Sequence, residues 1–415
     1  MTEIPLLKDK HIVVGVTGGI AAYKAAGLTS RLVQAGALVD VIMTEAAARF
    51  VAPLTYQALT HRPVVTEMFA LLAETEIGHV SLGKSADLMV IAPATANTLA
   101  KLAHGLADNM LTTTSLACRG PILLAPAMET GMWQNAATQA NVALLRDRGF
   151  QFIGPEEGRL ASADSGTGRM AEPGDIFEAC RWLLARKGPL AGKHVLVTAG
   201  CTWEPFDPVR FIGNRSSGKM GFALAAAARD QGAEVTLVHG PTALSAGYGV
   251  RCRGVQTAQQ MHDAVLDEIA TADVLLMAAA VGDYRPASFA GQKIKKDRGS
   301  RSVELAPNPD ILQAVARQKK PGRRLQVVVG FAAETEDLLE NARKKLDQKK
   351  LDLIVANDVS APDSGFTVDT NRVTILDPHG DPVTLPMLSK DEVAASIIER
   401  VIIKLSVKAS KSDKK

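Results

Sequence analysis

Residues 11–44 read "HIVVGVTGGIAAYKAAGLTSRLVQAGALVDVIMT", and the order of residue types in this stretch decides the fold. "HIVVGV" is a short, nearly continuous apolar run, as expected of a parallel strand buried on both faces. Gly18 and Gly19 turn the chain, "IAAYKAAGLTSRLVQAGA" reads as a helix, and "LVDVIMT" is a second buried strand. Strand, glycine turn, helix, strand is the repeating unit of a doubly wound sheet. The plan returns at 194–239, with "HVLVTAG", a polar loop, "SSGKMGFALAAAARDQGA" and "EVTLVHG". A further echo joins "ADLMVIAPAT" (86–95) to "ADVLLMAAAV" (272–281). The fold class expected is α/β, two doubly wound Rossmann-like domains, with ligand sites at the carboxyl ends of the strands. The basic stretch "ARKGPLAGK" (185–193) reads as a linker. It gives domains at 1–189 and 190–405, and "KLSVKASKSDKK" ends in a basic tail, 406–415, too poor in apolar residues to pack.

The chain has 415 residues, enough for two or three domains with cores of their own. A formal charge of +3 is too small to argue for a nucleic-acid partner. Four cysteines, Cys118, Cys180, Cys201 and Cys252, lack C-x-x-C spacing, which excludes the common zinc patterns and argues for a reducing compartment. No apolar run is long enough to span a bilayer and no signal peptide is visible, so the expected location is the cytoplasm.

In the first half, Gly18 and Gly19 put free backbone N–H groups and a helix dipole at one turn, which suits a phosphate. The pattern is not G-x-G-x-x-G and lacks an acidic partner for a ribose, which favours a mononucleotide over a dinucleotide. "APATANTLAKLAHGLADN" (92–109) and "APAMETGMW" (125–133) place Thr95, Asn97, Thr98, Met128, Met132 and Trp133 after further strands. Loops of this kind converge on one crevice.

This half resembles the flavin-dependent cysteine decarboxylases, whose marks are a histidine (His79 in "EIGHVSL"), an S/T-A-N-T loop and a P-x-M-N-x-x-M-W loop. The resemblance implies a flavodoxin-like domain with FMN held by Gly18, Gly19, Ile20, Ala21, Thr44, Thr95, Ala96, Asn97, Thr98 and Met128. It implies a catalytic His79 and a substrate site at Glu129 and Met132. Two residues depart from the pattern. The motif Asn, which contacts the substrate carboxylate, is Glu129 here, and the flap "GRLASADSGTGRM" (158–170) carries Ser162 where a proton-donating Cys is usual. A Glu beside a substrate carboxylate must be protonated, use backbone donors or turn aside, and Arg159 and Arg169 of the flap offer cations to turn to.

In the second half, "GNRSSGKM" (213–220) fits a phosphate loop until Met220, where Mg²⁺ binding requires Ser or Thr. The wider stretch "TAGCTWEPFDPVRFIGNRSSGKMG" (198–221) resembles the signature of the phosphopantothenate–cysteine ligases, in which that Met is normal. "AAAVGDYRP" (278–286), "KIKK" (293–296), "NPDIL" (308–312), "VGFAAET" (329–335) and "IVANDVS" (354–360) follow in the family's order. Asp283 and Phe331 are expected at strand ends, and Asp310 in the first turn of a helix. The resemblance implies catalytic roles for Arg210, Asn214 and Lys293. It implies substrate or nucleotide contacts from Ser216, Ser217, Gly218, Lys219, Met277, Ala278, Ala279, Asp283, Asn308, Pro309, Asp310, Ile311 and Phe331. Lys345 and Lys349, one helical turn apart, complete the set.

Together the two resemblances imply a bifunctional enzyme of coenzyme A biosynthesis. One half ligates 4′-phosphopantothenate to cysteine with CTP and Mg²⁺, its metal ligands unassigned, and the other decarboxylates the product with FMN. They also imply a homo-oligomer, trimeric through the flavin domains and dimeric through the ligase domains, hence a dodecamer. Two other readings compete. A flavin half with only a regulatory role is motivated by Glu129 and Ser162. A nicotinamide oxidoreductase is opposed by the missing G-x-G-x-x-G.

Overall fold

The computed structural model describes residues 4–68, 78–162, 164–295, 302–319, 324–334, 337–358 and 369–412. Its contacts fall into two compact units that divide between Ala185 and Arg186.

The first unit is built on a parallel sheet of β1 (His11–Val16), β2 (Leu38–Met43), β3 (Val64–Val65), β4 (Leu88–Ala94), β5 (Ile122–Pro126) and β6 (Gln151–Phe152). The strand order is β3-β2-β1-β4-β5-β6. Without the two-residue edge strand β3, this is the order of flavodoxin. Both faces are covered, which is why the strands read as continuous apolar runs. Ile12, Val14 and Val16 enter the cluster under helices Ala22–Gln34 and Pro173–Ala185, while Val13 enters the opposite one with Leu99 and Leu111. That is the two-residue period of a strand. A separate hairpin, β7 (Glu156–Arg159) with β8 (Ser165–Arg169), forms most of the expected flap.

The second unit repeats the plan on a larger scale. Its main sheet contains β9 (His194–Ala199), β12 (Glu234–His239), β13 (Val250–Gly254), β14 (Val274–Met277), β17 (Val327–Glu334), β18 (Leu353–Asp358), β20 (Val373–Leu376) and β21 (Val383–Thr384). Short pairs lie outside it: β10 (Trp203–Pro205) with β11 (Phe211–Gly213), β15 (Tyr284–Pro286) with β16 (Leu305–Pro307), and β19 (Thr370–Asn371) with β22 (Leu388–Ser389). The main order is β13-β12-β9-β14-β17-β18-β20-β21, parallel as far as β18, with β20 and β21 added antiparallel. Val195 and Val197 face one apolar cluster and Leu196 the other.

In both sheets the strand order reverses beside the first strand, between β1 and β4 and again between β9 and β14. Those two switch points are where ligands bind in open α/β sheets.

Three local expectations are corrected. The last helix runs Lys390–Ser412, through most of the stretch expected to be a loose tail. Leu405 is buried, and Lys408 Nζ donates to Gln326 O at 2.5 Å and pairs with Asp352 Oδ1 at 2.6 Å, so the core and an ion pair hold that segment. Phe331 lies inside β17, opposite Val355, because pairing with β18 carries the strand on to Glu334. Asp283 lies well beyond the end of β14, on the loop leading into β15.

Candidate functional site

In the first unit, Thr17 stitches the switch point together. Its buried hydroxyl donates to Pro93 O at 2.7 Å and accepts from Thr95 N–H at 3.2 Å, joining the ends of β1 and β4. Ala127 N–H donates to Ala94 O at 3.2 Å, which brings in the end of β5. The three loops foreseen from sequence therefore meet along one edge. The turn after β1 has to pass close to the chain after β2. A Cβ on Gly18 would sit 2.4 Å from Ala46 Cβ and 3.0 Å from the Ala46 carbonyl carbon. Ala46 belongs to the short helix capped by Thr44, whose Oγ1 accepts from Ala47 N–H at 3.2 Å. Thr95 caps helix Ala96–His104, accepting from Thr98 N–H at 3.4 Å, and leaves Asn97 exposed on its first turn.

Ala22 N–H turns back to Gly19 O, and no hydrogen bond of the Gly18, Gly19, Ile20 or Ala21 N–H is found among the described residues. A glycine cradle with its amides open at a helix start fits the phosphate of a mononucleotide. Ile20 and Tyr23, 62% and 61% exposed, put apolar surface on its rim.

Glu129 is held by its own chain. It is the N-cap of helix Thr130–Gln134, its Oε2 accepting from Gly131 N–H at 2.6 Å and Met132 N–H at 3.3 Å. The carboxylate is thus turned onto backbone donors of its own chain. Arg169, one of the flap cations to which it was expected to turn, pairs instead with Glu172, three residues on. The flap strand β8 is fixed to the same loop through Met128 N–H to Gly168 O, 3.0 Å. Ser162 is exposed in the hairpin turn. His79, half-buried at the second position of helix Gly78–Ser85, makes no hydrogen bond or ion pair among the described residues. Its helix packs on Met110–Ala117. Neither residue is bonded to the three loops.

In the second unit two threonines do the stitching. Thr198 Oγ1 accepts from Ala279 N–H at 3.1 Å, and Thr202 Oγ1 from Gly282 N–H at 2.9 Å. Asn214 Nδ2 reaches over the same loop, 3.2 Å from Ala280 O and 3.3 Å from Val281 O. Asn308 closes it from the other side, Nδ2 donating to Gly282 O at 2.9 Å and its N–H to Asp283 O at 2.8 Å. Gly218 caps helix Lys219–Arg229 at φ +83°, a left-handed conformation that glycine adopts without strain. Ser216 Oγ accepts from Gly218 N–H at 3.4 Å, and Ser217 O accepts from Thr242. Lys219 Nζ lies 2.6 Å from Asp369 Oδ1.

Arg210 holds the lysine-rich segment in place. Its guanidinium bonds Asp207 Oδ2 at 2.5 and 3.0 Å and Ile294 O at 2.7 Å, while Ile294 N–H returns to Asp207 Oδ2 at 3.2 Å. The Asp207 side chain has no exposed surface. Burial pushes its carboxyl up, but Arg210 and the N–H groups of Val209, Arg210 and Ile294 outweigh that and hold it far below the usual carboxylate range. Lys293 itself is exposed, and Lys296 lies outside the described residues.

Asp310 caps helix Ile311–Gln318 from just outside its first turn, accepting from Gln313 N–H at 2.8 Å, and pairs with Lys349. Burial raises its carboxyl, yet Lys349, Gln313 N–H and Lys345 together hold it below the usual value. Lys345 Nζ donates to Phe331 O at 2.8 Å, so Phe331, Lys345, Lys349 and Asp310 form one group.

Sequence reasoning missed Thr17, Thr198, Thr202, Asp207 and Asp369. A hydroxyl directly after a buried strand and before a glycine was the available signal for Thr17, whereas Asp369 follows the last motif and carried none.

Residues 190–405 match the family described as the DNA/pantothenate metabolism flavoprotein C-terminal domain, and residues 4–184 match the flavoprotein family. The coenzyme A biosynthesis bifunctional protein CoaBC of Bacillus subtilis is 46% identical over 95% of this chain and 97% of its own length. The chain belongs to this family of bifunctional proteins. Relatives of the same name in Vibrio vulnificus and Mycobacterium bovis are 45% and 47% identical, each over 95% of this chain and over 98% and 96% of their own lengths. Among the described residues no helix is long and apolar enough to cross a membrane, and no group of three or more His, Cys, Asp or Glu is placed to hold a metal ion.

Proposed function

We propose that the second unit joins 4′-phosphopantothenate to cysteine at the expense of CTP, and that the first unit decarboxylates the product to 4′-phosphopantetheine with FMN. The reading is carried by one coincidence. Each unit belongs to the family expected of that chemistry, and in each, loops that carry motif residues are tied together beside the switch point of the sheet.

A carboxylate does not acylate an amine in water, so it is first converted to an acyl nucleotide. The phosphopantothenate carboxylate attacks the α-phosphate of CTP and pyrophosphate leaves. Asn214 holds the loop against which the acyl-cytidylate lies, and the Ser216–Lys219 turn receives the phosphorylated end of the substrate. Lys293 and its neighbours, kept in register by Arg210, balance the triphosphate charge. Phe331, Lys345, Lys349 and Asp310 frame the nucleotide. The cysteine amine then displaces CMP. Mg²⁺, with its protein ligands unassigned, would enter with the nucleotide and would supply charge neutralisation for its phosphates.

In the first unit the residues present fit FMN: the open amides of Gly18–Ala21 would hold its phosphate, and Thr44, Thr95, Ala96, Asn97, Thr98 and Met128 would hold the rest of it. When bound, FMN accepts and returns a hydride equivalent, so the substrate thiol becomes a thioaldehyde that can absorb the electron pair left by CO₂. His79 supports removal of the thiol proton. A flavin half kept only for regulation loses one of its two motives, since Glu129 is accounted for as a helix cap. The exposed Val209, Phe211, Tyr284 and Phe289 of the second unit support association of copies of the chain in a homo-oligomer, and the cytoplasm remains the expected location.

The test is a two-stage assay. With 4′-phosphopantothenate and cysteine, pyrophosphate should appear with CTP much faster than with ATP, and CO₂ should follow in equal amount. Pyrophosphate without amide, or no CO₂ from the amide supplied directly, would refute the corresponding half. The purified protein should be yellow, with FMN as the extracted cofactor.

A further inference from the structure

Lys24 is the third residue of helix Ala22–Gln34, just after the glycine turn, and its side chain is 12% exposed. Its Nζ donates to Glu172 Oε1 at 2.8 Å and approaches Met170 O at 3.5 Å. Arg169, the last residue of β8, donates to the same Oε1. One carboxylate oxygen therefore joins the helix that starts at the cofactor turn to the flap. The hydrogen bond from Lys24 leads in holding the Glu172 carboxyl below its usual value. Desolvation opposes it, and the charges of Lys24 and Arg169 add to it. β8 is seated on a second partner as well. Gly168 O accepts from Met128 N–H at 3.0 Å, and a Cβ at Gly166 or Gly168 would run into Thr130 Oγ1 or Met128 O. The strand thus lies flush on 128–130, the loop that carries Glu129 and leads to Met132. Arg169 also crosses to β7, where a Cβ on Gly158 would come 3.4 Å from its guanidinium. Met170 and Ala171, between Arg169 and Glu172, are buried in the core and pin the root of the flap.

We propose that Glu172 is a positioning residue of the decarboxylase site: by bridging Lys24 and Arg169 it keeps β8 flush on the 128–130 loop, and so keeps the shape of the loop that receives the substrate. The physical argument is that of two cations sharing one anion. Without the carboxylate, Lys24 and Arg169 face one another as like charges. Lys24 is nearly dry, so its charge is weakly screened, whereas Arg169, with its side chain 42% exposed, has water to turn to. β8 ends at Arg169, so that turn works against the Met128–Gly168 hydrogen bond one residue away. Ion pairs with a wet partner contribute modestly, and Met170 and Ala171 hold the root in place, so the effect is local. β8 loosens while the fold and the glycine turn remain. Neither Lys24 nor Glu172 has a role in the sequence reading, and this role rests on the decarboxylase reading given above.

The experiment uses the full flavin-loaded chain and reads CO₂ release from the amide supplied directly, together with amide hydrogen exchange. Glu172→Gln should raise the KM for the amide about fivefold, change kcat by less than about twofold, and leave bound FMN and pyrophosphate formation as in wild type. Exchange at Met128 and across 165–169 should speed up about fivefold, with β1 and β4 unchanged. Lys24→Met should raise KM about twofold. Combined with Glu172→Gln it should do no worse than Glu172→Gln alone, because the repulsion goes with the lysine. Multiplied effects in the double variant would overturn the proposal. So would an unchanged KM in Glu172→Gln. Loss of kcat and FMN together, with faster exchange throughout the first unit, would also overturn it, since a purely structural acid would give that result. If Glu172→Gln speeds exchange at Met128 yet wild type releases no CO₂, the decarboxylase reading fails and the seating of β8 by Glu172 stands.

Discussion

The two units solve the same problem with different materials. In the first, the chain passes from β1 to its helix through residues 17–21, and the crevice is shaped by backbone approach: Gly18 against Ala46, with Thr17 as the stitch. In the second, residues 200–218 lie between β9 and its helix, carry their own hairpin, and hold the crevice with side chains. Asn214, Asn308, Thr198 and Thr202 all bond to the backbone of one loop, 279–283. A cofactor that stays bound needs a fixed cradle. A site that receives a nucleotide, an acid and an amine in turn needs groups that can exchange partners. The difference in construction fits the difference in use proposed for the two units.

The comparison breaks most visibly if each half can be disabled alone. Gly18→Ala forces a methyl group into Ala46, an overpacking of about 1–3 kcal/mol at a position with little slack. It should strip most of the FMN and the CO₂ release while leaving pyrophosphate and amide formation intact, read by the visible spectrum and the two-stage assay. Asn214→Ala should do the reverse. FMN stays, pyrophosphate forms slowly, and amide falls by about a hundredfold, as for loss of a positioning contact in a polar site. Wild-type amide yield from Asn214→Ala would remove the side-chain half of the contrast.

A smaller effect concerns Asp207, which ties Arg210 and Ile294 together. Its folded-state carboxyl is held low, so its contribution to stability is present above the unfolded value of about 4 and is lost as pH falls through the lower folded value. Asp207→Asn should therefore speed hydrogen exchange across 203–213 and 293–295 at neutral pH, with the gap to wild type closing below about pH 4. A gap independent of pH would mean that shape, and not charge, matters at this position.

The smallest effect is expected at Glu129. Asn is as good an N-cap as an acid, so Glu129→Asn should change CO₂ release by less than about twofold and leave its pH profile flat near neutrality. A wild-type rate that falls steeply as pH rises, and a variant in which that fall is gone, would show that the carboxylate leaves its cap to face the substrate.

The sequence by itself determined the two-fold plan and the loops that matter. Buried parallel strands must be apolar on both faces, and the turn after the first strand can pass so close to Ala46 only at a residue without a Cβ, Gly18, so both facts are written in local composition. It also named many polar residues along the two crevices, because the motif residues are consecutive or nearly so, but it passed over the threonines that tie the loops together, Thr17, Thr198 and Thr202. The tertiary structure decided which of them act on one another. Glu129 points to its own helix because two unpaired N–H groups lie within reach. Arg210 serves Asp207 and Ile294, 84 residues further along. Asp369 stands between Lys219 and Lys390 only because two helices and the β19–β22 pair bring distant segments to one point. Even the last helix holds through Lys408 because Asp352, 56 residues earlier, offers a carboxylate. Hydrogen bonds and ion pairs act over a few ångströms of space and take no account of separation along the chain, and so local pattern places the strands and turns while folding alone assigns the partners.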